Sequence, residues 1–220
     1  MQLIANVRPT DERGTFMDRA QRTQDSYDRV AAQYLERNRD RSLLHPWMRR
    51  FTELLPSNGL VLDLGAGPCL DSAELRSLGL RVISVDRSRR MLTAARQQIP
   101  GPRVQADMRQ LTFRLNAIAG VWACASLLHL DRGELVPALS GIRNVLLSRG
   151  VLFVSLKYGS GASWDTARFG PDAPRWFTYW SDDDLDASLE SAGFEIVESA
   201  TEEGLRNRWI ARIARRREAV

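Results

Sequence analysis

Leu60–Val61–Leu62–Asp63–Leu64–Gly65–Ala66–Gly67–Pro68–Cys69–Leu70–Asp71–Ser72 is the stretch that decides the fold. Leu60 to Leu64 is an apolar run of strand length, too short for a helix. Gly65 and Gly67 permit a sharp turn and let bare backbone approach a ligand. Asp71–Ser72–Ala73–Glu74 reads as a capped helix start, with Asp71 accepting from the first turn and Glu74 reaching back. Strand, glycine turn and helix start together form a nucleotide-type cradle, the arrangement found at the carboxyl ends of parallel strands. Asp63 lies inside the strand, where a buried carboxylate needs hydrogen-bond partners. Loop amides or a ligand ammonium group would serve.

The pattern repeats downstream. The helix opened at Asp71 is expected to stop at Gly79, a residue suited to a left-handed cap. Arg81–Val82–Ile83–Ser84–Val85 is the second strand, tipped by Asp86. An acid about 20 positions after the glycine turn, at the next strand tip, can accept from both hydroxyls of a ribose. Ser88 then caps a helix bearing Met91 and Leu92. Pro102 to Asp107 is a third short strand with an acidic tip. Ile118 to Ala125 is the fourth strand, continued by Ser126–Leu127–Leu128–His129–Leu130. Asp131 and Glu134 form another capping box. Val151 to Lys157 is apolar enough to be a fifth strand covered on both faces.

The pattern Asp63-x-Gly65-x-Gly67, followed in order by Asp86, Asp107 and the strand ending near His129, resembles the class I S-adenosylmethionine (SAM) methyltransferases. That family usually has a third glycine where this chain has Cys69. The resemblance covers residues 25 to 214. It implies a doubly wound, mostly parallel seven-stranded sheet with helices on both faces and an antiparallel C-terminal strand, and SAM as the cofactor. The residues it implies in cofactor binding are Tyr34, Asp63, Gly65, Ala66, Gly67, Asp86, Arg87, Met91, Asp107, Met108 and Ala123. Gly65 and Gly67 would take the methionine moiety, with Asp63 ordering their loop. Asp86 would take the ribose, and Asp107 with Met108 the adenine. His129 stands where the strand end faces the reactive methyl, as a candidate general base.

Outside this frame, residues 1–24 are polar and aperiodic at first, and are expected to form a mobile arm. Tyr27, Val30, Ala31, Tyr34 and Leu35 share one helix face, and Leu43 to Leu55 reads as a second helix. Residues 25–57 would thus be a helical cover over one domain spanning 25–220. Tyr158 to Trp180 is expected to be a long substrate-side loop ending in an aromatic run. A helix from Ser181 and two strands, Phe194–Ser199 and Arg208–Ala214, would close the chain as an edge hairpin.

With 220 residues, 44% apolar and 26% charged, a core of one domain is expected. The net charge of +4 is scattered, without a nucleic-acid stripe. Cys69 and Cys124 have no metal-ligand or disulfide spacing. No run approaches membrane-spanning length and no signal-peptide core opens the chain, so a cytoplasmic protein acting on a small-molecule acceptor is expected, with no metal, nucleic-acid or membrane partner. Two other readings stay open. A nicotinamide-dependent oxidoreductase would need Gly-x-Gly-x-x-Gly, but Leu70 holds the third position. A SAM-binding or partner-binding protein without catalysis is the other, because no residue is an obligatory catalyst.

Overall fold

The computed structural model describes residues 19–204 and 207–218. The first eighteen residues of the expected arm lie outside these, and the arm's remainder is already helix. The elements in order are α1 (Arg19–Arg37), α2 (His45–Glu53), β1 (Leu60–Leu64), α3 (Leu70–Ser77), β2 (Arg81–Asp86), α4 (Arg89–Thr93), β3 (Arg103–Gln105) and β4 (Ile118–Cys124). They continue with α5 (Arg132–Val145), β5 (Leu146–Lys157), β6 (Ala162–Asp165), β7 (Arg175–Thr178), α6 (Asp182–Ser191), β8 (Phe194–Glu203) and β9 (Arg208–Arg216).

Seven strands form one sheet in the order β3-β2-β1-β4-β5-β9-β8. The first five run parallel, and β9 pairs antiparallel with both β5 and β8. Strand order reverses between β1 and β4, the switch point where such sheets open a crevice beyond their carboxyl ends. The period-2 pattern of the central strands separates two apolar layers. Leu62, Leu64, Val121, Ala123, Leu152 and Val154 pack with α5 and α6 on one face. Val61, Trp122, Val151 and Phe153 pack with α2 and Leu75 of α3 on the other. Trp122 stacks on Phe153 with ring centroids 3.9 Å apart, and Phe51 of α2 meets Trp122 edge-on at 5.4 Å.

Four local expectations are corrected. The cap of α3 is Cys69, in the left-handed region at φ 68°; Asp71 lies within the first turn, and its carboxylate turns to Arg41 and Trp122 instead. α1 starts at Arg19 rather than Asp25, because Thr23 and Ser26 find buried partners on β7 and the segment before it. The stretch from Tyr158 is not a plain loop: Ala162–Asp165 pairs with Arg175–Thr178 as a separate two-stranded sheet. The last two strands are a hairpin, but β9 is inserted beside β5 and only β8 is the edge. No described helix is long and apolar enough to cross a membrane.

Phe51 is fully buried between α2 and the sheet. Phe51→Ala is expected to cost about 3–5 kcal/mol in a urea melt; a loss well under about 1 kcal/mol would show that α2 is not docked as described.

Candidate active site

The cradle forms where β1 and β2 end side by side. Gly65 and Ala66 N–H groups both donate to the Val85 carbonyl, at 2.8 and 2.9 Å. Gly65 and Gly67 have φ of +76° and +51°. A Cβ on Gly65 would stand 2.3 Å from Cβ of Ser126, so this turn admits only glycine there. Asp86 completes the turn: its Oδ2 accepts from Gly67 N–H at 2.8 Å and its Oδ1 from Ser88 N–H at 2.7 Å. Ser88 caps α4 by accepting from Met91 N–H at 2.9 Å, and its hydroxyl donates to Asp28 of α1.

A cleft opens above these turns. Its floor is Gly65, Gly67 and the strand-end residues Cys124, Ala125 and Ser126; one end is walled by Asp86, Arg87, Met91, Asp107, Met108 and Arg109. α1 roofs it with Ala20, Thr23, Gln24, Tyr27 and Tyr34, one helical face. The roof is fastened to the β6–β7 region: Ser26 Oγ donates to the Pro174 carbonyl at 2.6 Å and Trp176 N–H to Thr23 Oγ1 at 3.0 Å. Two buried polar atoms of lining residues, Ser126 Oγ and Arg87 Nη1, have no protein partner.

The three acids differ in state. Burial, with Asp71 nearby, pushes the Asp63 carboxyl up to about 7. It lies behind the cleft, taking the Ser72 hydroxyl at 2.6 Å, and does not touch the loop amides. Burial pushes Asp86 up to about 6 against the opposing N–H groups of Ser88 and Gly67. At Asp107 burial is outweighed by Arg109, which reaches the carboxylate at 2.7 Å and holds it below the usual range.

His129 is held at both nitrogens. Nδ1 lies 2.6 Å from the Trp176 carbonyl, which can only accept, so Nδ1 carries the proton. Nε2 therefore accepts from the Tyr27 hydroxyl at 2.9 Å. Burial, with Arg175 and Lys157 nearby, lowers the His129 pKa to about 4 despite that carbonyl. The ring is neutral near pH 7, and its basic lone pair already has a proton donor.

Of the residues expected in the site, Tyr34, Gly65, Gly67, Asp86, Arg87, Met91, Asp107, Met108 and His129 line one cleft. Asp63, Ala66 and Ala123 are packed behind it. Sequence reasoning missed Ser126 and Arg109 as lining residues. It also missed Arg41, whose guanidinium grips Asp71 at 2.5 and 2.9 Å with Cys124 beside it at 3.9 Å. Nothing in the neighbourhood of Arg41 marks it, because its partners are 30 and 83 residues away. No group of three or more His, Cys, Asp or Glu side chains among the described residues could hold a metal ion.

Residues 62–154 match the family model described as a methyltransferase domain. The chain is 29% identical over 133 residues to the Bacillus subtilis (strain 168) protein named "Putative methyltransferase YqeM", covering 58% of this chain and 52% of that one. The chain thus spans about half the length of that curated relative. Among solved structures it is similar to Burkholderia thailandensis 1,6-didemethyltoxoflavin-N1-methyltransferase, crystallised with 1,6-didemethyltoxoflavin and S-adenosylhomocysteine. That likeness has a TM-score of 0.75 at 18% identity over 98% of this chain and 94% of the other. It is also similar to a SAM-dependent methyltransferase of Methanosarcina mazei, with a TM-score of 0.70 at 17% identity over 80% and 99% of the two chains.

The state of Asp63 has a measurable consequence. Between about pH 4 and 7 the unfolded chain releases this proton while the fold retains it, so its contribution is complete below pH 4 and is lost as pH rises toward about 7. Asp63→Asn is expected to remove about 3 kcal/mol of that decline, read from urea melts at both ends of the window. Parallel pH dependences in the two proteins would mean that Asp63 is ionised in the fold.

Proposed function

We propose that the chain is a class I SAM-dependent methyltransferase that transfers a methyl group from SAM to a small-molecule acceptor, a reading supported by the methyltransferase domain match over residues 62–154 and by the shared fold. The observation that carries this reading is the meeting of the bare Gly65–Gly67 turn, both acidic strand tips and an unpartnered Ser126 hydroxyl in one roofed cleft. Those groups fit the cofactor. Glycines without Cβ leave room for a chain to lie along the turn, and Ser126 offers a hydroxyl that the protein itself does not use. Asp86 would hold the ribose hydroxyls with the lone pairs that Gly67 and Ser88 leave free. Met91 and Met108 would flank the adenine, Asp107 would lie at its edge, and Tyr34 would cover it from α1.

SAM supplies a methyl carbon already activated by its sulfonium, so the protein's work is to hold two reactants in line and exclude water. α1 and the β6–β7 region would do the excluding. His129 enters as the group that orients the Tyr27 hydroxyl: a neutral ring satisfied at both nitrogens does not serve as the base. A small acceptor is supported by the enclosure of the cleft, by the absence of a basic stripe, and by the neighbour crystallised with 1,6-didemethyltoxoflavin. A cytoplasmic setting belongs to the same reading, in keeping with the two unpaired cysteines.

The test is calorimetric titration with S-adenosylhomocysteine and with NAD, followed by a labelled-methyl screen over small acceptors. S-Adenosylhomocysteine is expected to bind and NAD not to. Asp86→Ala is expected to weaken binding by about 1–3 kcal/mol, since charge-assisted hydrogen bonds are lost. No binding at millimolar concentration, or an unchanged affinity in a folded Asp86→Ala protein, would sink the proposal.

A further inference from the structure

Behind the Tyr27–His129 wall of the cleft lie two buried cations. Lys157 ends β5 and Arg175 opens β7, and they are 6% and 4% exposed. Both reach the same carboxylate oxygen, Oδ2 of Asp165, each at 3.4 Å. The other Asp165 oxygen accepts from Ala167 N–H at 2.8 Å. Arg175 Nε has no hydrogen-bond partner. The remaining surroundings are aromatic. Lys157 Nζ stands 3.7 Å from the Phe177 ring centre, and the Arg175 guanidinium 4.8 Å from Phe169 and 5.9 Å from Tyr27.

The charges do not balance. Two cations share one carboxylate oxygen at long range. Among the described residues, Arg168 adds positive charge beside Lys157, and His129 and Tyr27, on which Arg175 acts, are neutral near pH 7. Ring faces lessen the cost of a buried cation without cancelling its charge. An uncompensated charge in the interior is expensive, and an anionic ligand would remove that expense. The excess is separated from the cleft by a single layer of side chains. Tyr27 and His129 line the cleft on one side; on the other, Tyr27 lies beside Arg175, and Phe177, which packs on His129, carries Lys157.

We infer that the acceptor is anionic: a small, flat molecule whose carboxylate sits in the cleft against the Tyr27–His129 wall, drawn by the Lys157–Arg175 pair behind that wall and offsetting the charge that Asp165 leaves over. The inference rests on the methyl-transfer reading above.

Two matched pairs test it in protein saturated with S-adenosylhomocysteine: 4-hydroxybenzoate against 4-hydroxybenzamide, and indole-3-acetate against indole-3-acetamide. In at least one pair the acid is expected to bind roughly tenfold or more tightly than its amide, a preference that a compensating charge can give. Lys157→Met and Arg175→Gln are each expected to bring that ratio below about threefold, as removal of one of the two cations should. Equal binding of acid and amide in both pairs, or no binding of either acid at millimolar concentration, overturns the inference while the bound S-adenosylhomocysteine leaves the methyl-transfer reading standing. Failure of S-adenosylhomocysteine itself to bind overturns both. The ratio in the unaltered protein decides the matter even where a variant does not fold.

Discussion

One carboxylate ties the site together. Asp86 accepts from Gly67 of the first strand's turn and from Ser88 of the second's, so two turns joined only through α3 and β2 are locked to each other. From there the order spreads. Ser88 caps α4 and also holds Asp28 on α1, which connects the floor of the cleft to its roof. Two N–H donors on one acid offset much of the cost of burying it, and they leave the glycine turn in a strained-looking φ region that it adopts without penalty. The residue proposed to hold a ribose is therefore also the residue that shapes the turn beneath it.

The cleft is electrically divided. Asp63, Asp86 and Asp107 gather at the carboxyl ends of β1, β2 and just beyond β3; Lys157 and Arg175 stand at the end of β5 and at the start of β7. Between them sits His129, kept neutral by burial and fixed in one tautomer by the Trp176 carbonyl. A cofactor that carries positive charge and an acceptor that carries negative charge would be sorted to opposite ends by this field. The long switch-point crevice of the parallel sheet supplies the room, while α1 and the β6–β7 hairpin supply the cover. Burial under that cover is also what moves the titration of Asp86 upward and of His129 downward.

The neighbours in structure share less than a fifth of their residues with this chain at equivalent positions. At that distance they establish a shared architecture, and the acceptor has to be argued from the side chains of this chain. Those side chains lie mainly on α1 and the β6–β7 hairpin, outside the stretch that matches the methyltransferase domain model.

What the sequence settled by itself was whatever local pattern controls. Leu60–Leu64 reads as a strand because a short run with four apolar residues around Asp63, followed by Gly-x-Gly, is too short for a helix. The alternation of such runs with capped helices required a parallel sheet, and the acids at Asp86 and Asp107 were legible because each ends its run. The tertiary structure decided what depends on partners far along the chain. Asp71 looked like a helix cap, but Arg41 and Trp122, 30 and 51 residues away, claim its carboxylate. β6 carried no periodic signal because a strand paired with only one other, and half exposed, needs none. His129 stands where a base would, but burial, with Arg175 and Lys157 nearby, lowers its affinity for a proton. Spacing along a chain can place a residue at a strand end; only the groups that fold against it fix its charge.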